Sequence, residues 1–68
     1  MFDVNKFNAA ITLKGESQED AAAVMGMNRV TLFRKKTGVT EFTRKEIELF
    51  CKHYNVSPDI VFFTNFSA

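Results

Sequence analysis

Met25-Gly26-Met27 is all that separates the inward apolar positions Ala21 and Ala22 from Asn28, which reads as the first cap of a new helix. A connection that short makes two helices cross steeply. The crossing makes two local demands. The turn needs a residue that accepts positive φ, and Gly26 supplies it. The earlier helix needs a small side chain where the later one presses close, and Ala22 stands one turn before the glycine. Ala21, Met25, Met27 and Leu32 then fall on the inner faces. Residues 17–38 read as a helix-turn-helix.

The same punctuation divides the rest of the chain. Asp3 is an N-cap ahead of Val4, Phe7 and Ile11, which recur at helical spacing, and Leu13-Lys14-Gly15 ends that helix. Ser17 followed by Asp20 forms a capping box with the shorter acid, so the second helix begins near Gln18. The third helix starts after Asn28 and stops at Thr37-Gly38. Thr43 and Glu46 make a full capping box, with Phe42 placed to staple against Ile47. Ile47, Phe50, Cys51 and Tyr54 then define the clearest amphipathic helix of the chain. Ser57-Pro58 opens a last short helix, expected to carry Ile60, Val61 and Phe63 into the core. No segment alternates long enough to require a strand. The predicted fold is all-α, with five short helices.

Sixty-eight residues make one domain with one small core, and 46% hydrophobic with 25% charged is ordinary for a soluble globular protein. Eight phenylalanines point to a core built around rings. The longest apolar run is far short of the roughly 20 residues a membrane helix needs, and no signal peptide is visible. Cys51 is the single cysteine, so no intramolecular disulfide can form and a reducing, cytoplasmic location is expected. Cys51 reads as a small buried hydrophobe, and His53, the single histidine, as an exposed helix residue without a second metal ligand at useful spacing. Glycine-rich phosphate loops, catalytic triads and paired-carboxylate clefts are not visible. We expect neither an enzyme nor a cofactor.

The net charge is +1, but its distribution is uneven. Between Ala21 and Thr40 there is no acidic residue, while Arg29, Arg34, Lys35 and Lys36 are basic; elsewhere five basic residues face eight acidic ones. A positive patch on an acidic body fits a nucleic acid or an acidic partner. A solvated helix face would carry four such charges equally well. Position within a motif has to decide.

The stretch "SQEDAAAVMGMNRVTLFRKKTG" resembles the helix-turn-helix of the Cro/repressor family of phage and bacterial DNA-binding domains. It has the glutamine that opens the second helix, the alanine and glycine four apart, a polar cap after the turn and a terminal glycine. Downstream, "EFTRKEIELFCKHYNVSPDIVFF" is similar to small phage-encoded members, so the likeness spans residues 7–63. It implies a compact five-helix domain of lambda-repressor-like type, acting as a sequence-specific transcriptional regulator of phage or prophage origin in the cytoplasm of a bacterial host. The third helix would enter the major groove, with Arg29, Val30, Phe33 and Arg34 toward base edges. Ser17, Gln18, Thr43 and Arg44 would meet phosphates at two helix starts, and Lys35, Lys36 and Thr40 would add backbone contacts. Such domains bind as dimers, and the C-terminal Phe62 and Phe66 are the candidate self-association or partner residues, with Phe63 in the core. The chain departs from the family at Lys35 or Lys36, where an apolar residue is usual; a lysine stem can be buried while its ammonium stays in water. The alternative is a small interaction module that binds a cognate repressor protein. The outward face of the third helix distinguishes them: arginines there favour bases, Val30 and Phe33 outward together favour protein.

Overall fold

Each helix begins at the polar residue expected to cap it. The computed structural model describes residues 2–63, and these form α1 (Val4–Leu13), α2 (Gln18–Val24), α3 (Arg29–Lys36), α4 (Arg44–Tyr54) and α5 (Pro58–Val61), with no strand among the described residues. The side chains of Asp3, Ser17, Asn28, Thr43 and Ser57 each accept a hydrogen bond from a backbone N–H in the first turn that follows. That satisfies donors a helix start otherwise leaves orphaned. At Ser17 and Thr43 the acids Asp20 and Glu46 bond back to the cap N–H, completing both boxes.

The helix ends are equally specific. After α2, the Met27 N–H donates to the Ala22 carbonyl at 2.9 Å and the Gly26 N–H to Ala23 at 3.1 Å. This is the Schellman pattern, which requires the residue between to be left-handed, and Gly26 has φ +77°. The same pair of bonds ends α1 at Gly15 and α3 at Gly38, so all three glycines of the chain serve as helix stops. α4 stops without glycine: Asn55 takes the left-handed conformation at φ 56°.

α1 packs on α2 and α5, α2 on α3 and α4, and α4 on α5. The centre is aromatic. Phe7 of α1 stacks on Phe50 of α4 with ring centroids 4.4 Å apart, and both are fully buried. Phe62 meets both rings edge-on, while Phe2 and Phe42 close the outside of the cluster. Ile11, Ala21, Ala22, Met25, Leu32, Tyr54 and Val61 fill the remainder. Phe42 and Ile47, expected to staple the start of α4, both pack against this core.

Five expectations change. Phe62, expected at a contact surface, is only 5% exposed, and Phe63, expected in the core, is 53% exposed. α5 is four residues long, and its cap residue Phe62 turns in over Phe7 and Phe50, which leaves the next ring outside. Ile60 is half exposed for the same reason, because so short a helix has one inward position, taken by Val61. Cys51 and His53 are both half-buried, neither fully interior nor fully exposed. Burial raises the Cys51 thiol pKa, which favours the protonated thiol. Phe66 lies outside the described residues.

Candidate functional site

α3 carries little apolar anchorage of its own. Leu32 is its one buried residue, while Arg29, Val30, Phe33 and Arg34 are exposed, Val30 at 62% and Phe33 at 64%. The four residues predicted to face a partner therefore share the solvent side of one short helix, set across α2 by the Gly26 turn. Arg29 and Arg34 are engaged in no ion pair among the described residues.

The two lysines that follow hold α3 in place. Lys35 donates from Nζ to Glu46 Oε1 at 2.8 Å and to the Glu41 carbonyl at 3.0 Å, with 11% of its side chain exposed. This removes Lys35 from the expected phosphate contacts: its charge is used inside the molecule, tying α3 to the start of α4. Lys36 turns the other way. Its ammonium lies 5.6 Å from the Phe7 ring centroid and donates to Gln18 Oε1 at 2.7 Å. Burial, with a smaller contribution from the nearby Arg29 guanidinium, lowers the Lys36 pKa below the usual lysine value. Gln18 Nε2 in turn donates to Asn8 Oδ1 at 3.0 Å, so its amide is fixed from both ends. Both lysines are thus partly buried, with their ammonium groups bonded to neighbouring helices.

At the two helix starts expected to meet phosphates, the N–H of the cap residue is already taken by an acid. The Ser17 N–H donates to Asp20 Oδ2 at 2.8 Å and the Thr43 N–H to Glu46 Oε1 at 2.9 Å. The bonds from Ser17, backbone first and then side chain, depress the Asp20 pKa. A phosphate approaching Ser17 or Thr43 meets a carboxylate there. Thr40 and Arg44 are exposed, and Arg44 makes only a loose 3.5 Å contact with Glu48 in the next turn.

A second polar cluster had no local signal in the sequence. The Glu16 carboxylate accepts from Tyr54 Oη at 2.8 Å and lies 3.1 Å from His53 Nε2, joining the α1–α2 connection to the end of α4. The hydrogen bond from Tyr54, then that from His53, lowers the Glu16 pKa. Lys14 closes the cluster by donating to the His53 carbonyl at 2.6 Å. These partners lie up to 39 residues apart, so only tertiary packing unites them.

No group of three or more His, Cys, Asp or Glu that could hold a metal ion occurs among the described residues. No helix among them is long and apolar enough to cross a membrane. The chain matches no family model, no curated protein and no solved structure.

Proposed function

We propose that this chain is a sequence-specific DNA-binding transcriptional regulator of the phage Cro/repressor type, with α2 and α3 as its helix-turn-helix. One observation carries the reading: Arg29, Val30, Phe33 and Arg34 stand together on the exposed side of the second helix of a tightly turned pair, with both guanidinium groups unpaired among the described residues. α3 is short enough to lie in a major groove by its N-terminal part. An arginine there can give two hydrogen bonds to guanine O6 and N7, and Val30 or Phe33 can meet a thymine methyl. Arg44 and Thr40, both exposed, are available for the backbone. One helix of this kind reads only a few base pairs, so a dimer on half-sites about 34 Å apart would supply the remaining specificity. Any dimer contact must use surface other than the buried Phe62.

The alternative is binding of a cognate repressor protein. The exposure of both Val30 and Phe33 on one face favours it, because an apolar patch rimmed by charge suits a protein surface. The occupation of Lys35 by Glu46 points the same way, since it removes one cation from the face.

A salt titration of binding to DNA from upstream of the chain's own gene, beside scrambled DNA, tests the proposal. We expect tight binding to the native site alone, weakening steeply with salt. Arg34→Ala should cost about 1–3 kcal/mol of discrimination between the two DNAs. If folded protein binds neither DNA, the proposal fails and the repressor-binding alternative takes its place.

A further inference from the structure

Arg29 and Lys36 begin and end α3, seven residues apart and so on one side of the helix two turns from each other. Like charges so placed ordinarily diverge into solvent. Here they do not. Arg29, Lys36, Gln18, Leu32 and Phe33 line one recess of about 70 Å3, and Arg29 is close enough to help depress the Lys36 pKa. Neither cation has a carboxylate partner among the described residues. The walls are partly apolar, with Leu32 buried and the Phe7 ring beside the Lys36 ammonium, so solvent screens the repulsion less than at an open surface. Two uncompensated cations held around one small hollow form a site that is completed by an anion.

We propose that Arg29 and Lys36 together seat a single phosphate group, with Gln18 as the residue that positions Lys36. The Lys36 ammonium spends one of its three donors on Gln18 Oε1 and keeps two for the ligand. Arg29 supplies a planar fork suited to two oxygens of one phosphate. One Nε2 N–H of Gln18 is held by Asn8 Oδ1, which fixes the orientation of the amide. Its oxygen fixes the ammonium at the rim. The inference rests on the DNA-binding reading for its physiological ligand, a backbone phosphodiester, and it moves Arg29 from reading bases to holding that backbone. A recess of about 70 Å3 is on the scale of a single oxyanion.

Two measurements test it, both on the full chain. Inorganic phosphate is titrated against chloride at matched ionic strength and followed by the amide resonances of Gln18 and Arg29, in wild type, Lys36→Met and Gln18→Glu. Lys36→Met keeps the stem against Phe7, and Gln18→Glu places a carboxylate where the anion would compensate charge; thermal melts confirm that both are folded. We expect saturable binding of phosphate over chloride in wild type and at least a tenfold weakening in each variant. Equal response to chloride, or unchanged binding in the variants, overturns the site. In the second measurement, Arg29→Ala and Lys36→Met are compared on native and scrambled DNA. A phosphate seat predicts equal weakening on both DNAs and a salt slope shallower by about 0.9 for each variant. If Arg29→Ala instead narrows the preference for the native site at unchanged salt slope, Arg29 reads bases: the inference falls and the DNA-binding reading stands. If free phosphate binds the recess while neither DNA binds, the site stands and that reading falls.

Discussion

Lys35 and Lys36 are adjacent and chemically identical, yet the fold gives them different tasks. Lys35 reaches toward α4 and is locked between Glu46 and the Glu41 carbonyl; Lys36 reaches toward α2 and lies over Phe7. Lys35→Met should therefore lower stability by about 1–2 kcal/mol, the scale of hydrogen bonds to charged groups, and leave the salt dependence of any DNA binding unchanged. Urea unfolding beside a binding titration checks both halves. Glu16 makes a pH-dependent contribution of its own. Its pKa is lowered in the fold, chiefly by the Tyr54 hydroxyl and then by His53, so the stabilisation is present above the ordinary value of 4.5 and is lost as pH falls through the depressed one. Glu16→Gln should reduce the melting temperature at pH 7, and the gap to wild type should narrow as pH is lowered below 4.5. A gap that stays constant through the acid range would mean the cluster acts through packing and not through charge.

At the scale of the element, short helices without long apolar stripes are defined by their ends. Helices of seven and eight residues are too short to persist alone in water, so α2 and α3 rely on caps and on each other. The turn between them concentrates this dependence. A methyl group at Gly26 would meet nothing within 4 Å, so crowding is not the obstacle to an alanine there. The obstacle is the backbone at φ +77°, which disfavours any Cβ by about 1–2 kcal/mol. Gly26→Ala should destabilise by that amount in urea, and Gly26→Asn by less, because asparagine tolerates the left-handed region. The structure already uses that tolerance at Asn55. If the two variants were equally destabilised, the cost would have to come from lost turn hydrogen bonds instead.

The whole molecule is a ring cluster wrapped by helices, with its exposed face set on the element least attached to it. Phe7 is the hub, in ring contact with Phe2, Phe42, Phe50 and Phe62. Phe7→Ala should cost about 3–5 kcal/mol, comparable with the whole stability of a small domain, so the variant should be largely unfolded by circular dichroism at 25 °C. The outer face should behave in the opposite way. Val30→Ser with Phe33→Ser removes two exposed side chains, so stability should move by no more than about 0.5 kcal/mol while partner binding is lost. A clear stability loss would show that these residues pack against something within the molecule.

The helices, their caps and their glycine stops were legible in the sequence because they rest on local chemistry. A capping side chain bonds a backbone group three residues away, and Gly26 ends α2 through bonds reaching back five. The rotation of α3 was legible only in part: Leu32 marks its inward side, but Lys35 and Lys36 left open which of Val30, Phe33 and Arg34 face outward. What depended on distant partners was not. Glu16 finds Tyr54 across 38 residues, Lys36 finds Gln18 across 18, and Lys35 finds Glu46 across 11. Nothing in the neighbouring residues of either lysine distinguishes a cation free for phosphate from one already paired. The exchange of Phe62 for Phe63 in the core has the same origin. Four consecutive apolar residues at the end of a four-residue helix carry no usable period, and the ring that goes inside is chosen by the space left between Phe7 and Phe50. Local hydrogen bonding determined the elements; only their packing decided which charges remained available for a partner.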